Sequence, residues 1–245
     1  MEYDMFNNQI RTFPRAYVGA GMEPSEALKT AMGWVRPLIS SWSEVSILVP
    51  RISQIDEDRT LSALRKSGAH FSQPRNHSAN SVSRGPWIAY CPTRDWLVGL
   101  EKENSKTALV ATMWTENDVR AWVDAYEPEC LGGDGLRSES PEISHPVFWQ
   151  AMDDFTVIAY GGATIHDTRD APRIIDGLKK LKASGYLPSD NGVLAAALKK
   201  NWQGKDALVL AGYVNDIHRG VNKRVPREYE LQSDIVSQWE IAAQA

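Results

Sequence analysis

Three short apolar runs, each followed at once by a helix-forming stretch, constrain this chain more than anything else in it. "VSILVP" (45–50), "WIAYCP" (87–92) and "TALVATMW" (107–114) are too short for buried helices and rich in β-branched or aromatic residues. Such runs suit strands covered on both faces. After the first, "DEDRTLSALRKSG" (56–68) has acids in its opening turn, bases in its last and Gly68 as a stop, all favourable to the helix dipole. The second leads into "TRDWLVGLEKE" (93–103). The third leads into "TENDVRAWVDAYEP" (115–128), where Thr115 and Asp118 form a variant of the capping box. Apolar strands alternating with amphipathic helices predict a mostly parallel sheet with right-handed crossovers.

Around this pattern, "PSEALKTAMGWVRPLISSW" (24–42) predicts a helix capped by Ser25 and kinked at Pro37, and a short strand fits Ala69–Ser72. "CLGGDGLRSESPEISHP" (130–146) has no periodicity and reads as a linker or long loop. Beyond it the strand signal fades. "VFWQAMDDFTVIAY" (147–160) is a helix with a frayed end or a helix followed by a short strand. Further helices fit 170–185 with Asp170 as cap, 189–202, 204–220 and 230–244, the last packing through Leu231, Ile235 and Trp239. The fold class is therefore α/β: an N-terminal, mostly parallel sheet flanked by helices over residues 1–131, a linker over 132–146, and a mainly helical region over 147–245.

At 245 residues, 42% hydrophobic and 24% charged, the composition is that of a globular protein. The N-terminus carries early acids and no apolar core of a secretion signal, and no run of apolar residues is long enough to span a bilayer. A soluble, cytoplasmic protein is expected, with no membrane partner. Cys91 and Cys130 lack CxxC spacing and read as two free thiols. The five histidines are dispersed without metal-ligand spacing, so no metal site is expected. Phosphate-binding, dinucleotide, nucleophile-elbow and zinc-protease motifs are all missing. No cofactor is expected, and the balance leans away from an enzyme.

Three features remain as candidates. Cys91 ends a strand near a helix N-terminus, where the dipole and Arg94 could lower its pKa. Pro92 removes one amide donor and Asp95 adds a competing charge, so core packing is the simpler reading. The second feature is the edge formed by the strand carboxyl ends, where open parallel sheets bind ligands. There Arg51, Cys91, Thr93, Arg94, Thr115 and Glu116 could hold a small anion, although Thr93 and Thr115 also serve simply as caps.

The third is electrostatic. No Asp or Glu occurs from Arg59 through Arg94, while Arg59, Arg65, Lys66, Arg75, Arg84 and Arg94 lie in a chain of net charge −4. This stretch could contact an anion or nucleic acid, or be a solvated loop neutralised by its neighbours. The pair of helices near the C-terminus has a helix-turn-helix outline, but its second helix is apolar and the bases and acids from residue 143 onward balance. Nucleic acid is accordingly not the favoured partner. The leading expectation is a non-catalytic binding or interaction protein with an unknown protein partner. An enzyme acting on a small anionic substrate at the strand ends, and nucleic-acid binding through 59–94, are the alternatives.

Overall fold

A computed structural model describes residues 13–73, 84–101, 105–136, 145–162, 164, 165 and 168–244. Contacts divide the chain into two compact units, one within 11–137 and one within 138–245.

The first unit is built on a six-stranded, wholly parallel sheet in the order β3-β2-β4-β5-β1-β6. The strands are β1 (Arg15–Val18), β2 (Ser46–Leu48), β3 (His70–Ser72), β4 (Gly85–Tyr90), β5 (Lys106–Thr112) and β6 (Glu129–Cys130). Helices α1 (Pro24–Val35), α2 (Gln54–Glu57) and α3 (Arg59–Lys66) precede β3, and α4 (Arg94–Leu100) and α5 (Glu116–Tyr126) follow β4 and β5. Alternation along the strands sorts the core into two layers. Ala16, Val18, Ile47, Val49, Ile88 and Val110 meet Leu28 and Val35 of α1 and Leu61 and Leu64 of α3. Tyr17, Leu48, Trp87, Ala89, Leu109 and Ala111 meet Trp96 and Leu97 of α4 and Val119 and Trp122 of α5. Each face is thus covered by helices, as the apolar runs require.

Several local expectations need correction. The helix at 24 is capped by Glu23 with Pro24 in its first turn, so Ser25 is no cap. It ends at Val35, and Pro37 sits in a 3-10 turn at Arg36–Leu38, because proline supplies no amide to carry the α-helical ladder onward. The helix expected over 56–68 starts only at Arg59, after the one-turn α2, where the Asp58 carboxylate accepts from the amides of Thr60 and Leu61 at 2.7 and 3.0 Å. Thr115 precedes α5, but its hydroxyl donates to Asp118 at 2.7 Å and caps no amide. "RAYV" carried no legible strand signal, being only four residues long, yet β1 lies between β5 and β6.

The glycine-rich run after β6 remains attached to this unit as far as Leu136. Gly19 donates to the Gly132 carbonyl at 2.9 Å, and Ala20 and Asp134 exchange amide bonds at 3.1 Å. Gly133 sits at φ +72°, and a Cβ there would lie 2.7 Å from the Ala20 carbonyl oxygen. Only glycine accepts both that conformation and that approach. The amide of Leu136 then donates to the Tyr17 hydroxyl at 2.9 Å.

The second unit is helical: α6 (Pro146–Ile158), α7 (Asp170–Ala183), α8 (Asp190–Lys199), α9 (Gly204–His218) and α10 (Ile235–Ala242). The segment 147–160 is a helix to Ile158 with no strand after it. Asp170 is the first residue of α7, buried, and not its cap. "VLAAAL" in α8 is buried throughout. The apolar positions of α9, Ala207, Leu210, Ala211, Val214 and Ile217, are core as well, so this helix does not offer them as a reading surface. The last helix begins at Ile235, and Trp239 is its buried anchor. No described helix is long and apolar enough to cross a membrane.

Candidate functional site

Two places could hold a ligand, one in each unit. In the first, the connection after β2 runs outward to β3 and the connection after β4 runs the other way to β5. They leave on opposite faces, α3 on one and α4 on the other. A parallel sheet opens its crevice where connections diverge like this, at the carboxyl ends of the two strands. Arg51 follows β2 there, and Cys91, Thr93 and Arg94 follow β4.

Cys91 is half-buried and held at φ +48°. Its amide donates to Thr112 Oγ1 at 3.0 Å, and its Sγ lies 3.8 Å from the same oxygen. Burial pushes the thiol above its ordinary pKa; the hydrogen bond with Thr112 lowers it in part, and Asp118 adds a smaller push upward. The neutral thiol is therefore favoured at neutral pH. Arg51 is exposed and its backbone amide donates to Gln54 Oε1 at 3.2 Å. Arg94 lies 3.5 Å from Asp95. Thr93 precedes α4 without a side-chain capping bond. Thr115 is taken up by Asp118, and Glu116 pairs with Arg120 at 3.2 Å. Glu116 and Asp118 supply negative charge to the first turn of α5, which offsets that helix's attraction for an anion.

The bases of the acid-free stretch do not share one edge. Arg59 opens α3 at the carboxyl end of the sheet, whereas Arg65 and Lys66 close it. Arg84 immediately precedes β4 and Arg94 follows it, a separation of roughly 20 Å at strand rise. Arg65 lies 3.7 Å from Asp56. Arg75 lies outside the described residues. Sequence reading missed Trp114, which it placed in a strand; β5 stops at Thr112 and Trp114 stands 67% exposed beside this edge.

The second place is a groove of about 610 Å³ on the helical unit, between the end of α6, the start of α7, residues 228–232 and α10. Its walls are fastened on both sides. The Leu231 amide donates to Asp176 Oδ2 at 2.9 Å, while Lys180 Nζ donates to the Leu231 carbonyl at 2.6 Å and to Asp176 at 2.7 Å. On the other side Trp239 Nε1 donates to Asp154 Oδ2 at 2.7 Å, and the Trp239 ring meets Phe155 edge-on at 6.0 Å.

Val157 is 79% exposed at the lip of this groove, with Ile158, Leu231 and Ile235 inside. Arg169 is occupied by Asp170 at 2.8 Å and by the Tyr160 hydroxyl. Arg173, one turn further along α7, and Glu228 and Glu230 make no ion pair among the described residues. None of these residues stood out in the sequence, because the groove joins four segments that are far apart in the chain. The one available signal was Val157 at a polar position of an otherwise amphipathic helix.

Residues 144–240 match a family model described as a domain of unknown function (DUF1889). The match covers α6 to α9, most of α10 and every residue of the groove. No curated protein and no solved structure matches the chain.

Proposed function

We propose that this protein is a non-catalytic binding protein that engages another protein through the groove of its helical unit. One observation carries the reading: an apolar side chain, Val157, stands 79% exposed over a groove whose walls are fixed by paired side chains. A preformed concavity lined in part by apolar side chains can seat an apolar anchor of a partner without rearrangement. Cys91, the most reactive candidate in the sequence, supports binding over covalent chemistry, because burial disfavours its thiolate. Two free thiols fit a cytoplasmic setting.

The test is a photo-crosslinking amino acid placed at Val157 and, as a control, at exposed Ser237. A discrete adduct at 157 alone, whose purified partner rebinds the wild-type chain and not Val157→Glu, is the expected result. Absence of such an adduct, or turnover of a phosphoester, acyl or thiol substrate that one substitution abolishes, would reverse the reading.

A second reading, small-anion binding at the β2–β4 crevice, is favoured by the placement of Arg51 and Arg94 on the two flanking connections. It predicts that inorganic phosphate or a phosphorylated metabolite raises the melting temperature, and that Arg51→Ala with Arg94→Ala removes the rise. An unchanged melting curve across such ligands would dismiss it. Nucleic-acid binding draws less support, since the bases of 59–94 are divided between opposite ends of the sheet.

A further inference from the structure

Resting on the groove reading, we infer that its occupant is a peptide segment that carries an apolar anchor together with an acidic residue and basic residues. The apolar lining of the groove includes Val157, Leu231 and Ile235, and Arg173, Glu228 and Glu230 line it as well. These three charges make no ion pair with one another although they line one concavity. In water an unpaired surface charge costs little, but a covering partner desolvates it, and each must then meet an opposite charge.

That requirement selects among occupants. A polyanion would be repelled by Glu228, Glu230 and Asp154. A lipid surface would leave all of them desolvated and unpaired. A small molecule is poorly matched, since a ligand pocket encloses most of its guest whereas the lip residue Val157 remains mostly exposed. A peptide backbone with side chains of both signs meets every group. The apolar anchor supplies the affinity, and the charges select among segments.

The probe is a phage-displayed library of random 12-residue peptides, panned on the full chain. Selected peptides are synthesised and titrated by fluorescence anisotropy against wild type, Val157→Glu, Arg173→Glu and the double variant Glu228→Lys with Glu230→Lys. All four positions are exposed, and circular dichroism verifies that each variant is folded. Val157→Glu is expected to weaken binding at least about tenfold. Arg173→Glu weakens it about tenfold, and exchanging the peptide's acid for Lys restores the loss. The Glu-to-Lys double variant weakens it similarly and is rescued by replacing the peptide's bases with Glu.

Peptides that depend on Val157 yet ignore both charge reversals would overturn the charge-matched occupant and leave the groove reading standing. If no selected peptide depends on Val157, both fall.

Discussion

Cys91 and Tyr90 end the same strand, and burial acts on both in the same direction. The thiol is pushed up by desolvation, and the Tyr90 phenol is raised to about 12 by desolvation and by the charges of Cys91 and Asp58. The folded state thus favours the protonated form of each. Their contribution to stability is complete below the ordinary thiol and phenol values and is lost as pH rises through the higher folded values. Two outcomes follow. Iodoacetamide at about pH 8, just below the ordinary thiol range, modifies exposed Cys130 first, and Cys91 reacts at a comparable rate only after denaturation. The melting temperature falls as pH rises above about 10, the ordinary tyrosine value, and it falls less steeply in Tyr90→Phe. Mass spectrometry of the alkylated peptides and melting curves across pH measure both, and prompt native labelling of Cys91 would contradict the assignment. At this scale the sequence was informative: the question whether Cys91 is packed or activated could be posed from "YCPTRD" alone, but the burial that raises its pKa depends on residues distant in the chain, Thr112 and Asp118 among its neighbours.

Among the elements, legibility followed length and periodicity. The apolar runs that became β2, β4 and β5 were visible because a buried parallel strand has no polar alternation to blur it. β1 and β6 were not, since Arg15–Val18 and Glu129–Cys130 have four and two residues, and β6 is exposed. What holds them is tertiary. Arg15 makes two hydrogen bonds to Glu101, at 3.0 and 3.1 Å, and Trp122 Nε1 donates to the same carboxylate at 2.7 Å. Lys106 lays its ammonium on the Leu100 and Glu101 carbonyls at 2.7 and 3.0 Å, where it meets the negative end of α4. These four side chains tie β1, α4, β5 and α5 together at the amino end of the sheet. The bonded partners are as many as 86 positions apart, so no local pattern could announce them. The groove was hidden for the same reason: Asp176, Lys180 and Leu231 become neighbours only after the helices have packed.

On the scale of the molecule, each unit contains its own buried core: the two layers around the sheet in one, and Phe148, Phe155, Leu178, Leu194, Leu210 and Trp239 in the other. A core of this size supports cooperative folding. Fragments 1–137 and 138–245 are each expected to melt in a single cooperative transition and to give dispersed amide resonances. A fragment that keeps its far-ultraviolet dichroism but melts gradually, with collapsed resonances, would show that its core is incomplete without the rest of the chain. The α/β character of the N-terminal half and the helical character of the C-terminal half were both readable from the sequence. The order of the strands was not, because periodicity says which residues are buried and nothing about which strand they adjoin.

That strand order has a consequence during synthesis. The first strand of the chain takes its hydrogen bonds from β5 and β6, with Arg15 opposite Leu109, ninety-four positions later. At about 5–20 residues per second a ribosome needs roughly 5–20 s to supply that partner. Throughout the interval "RAYV" has no neighbour in the sheet, while β2 and β3 emerge with their pairing close at hand. β1 is therefore secured only after translation has passed residue 112, and the sheet is complete only once β6 at Glu129–Cys130 has followed.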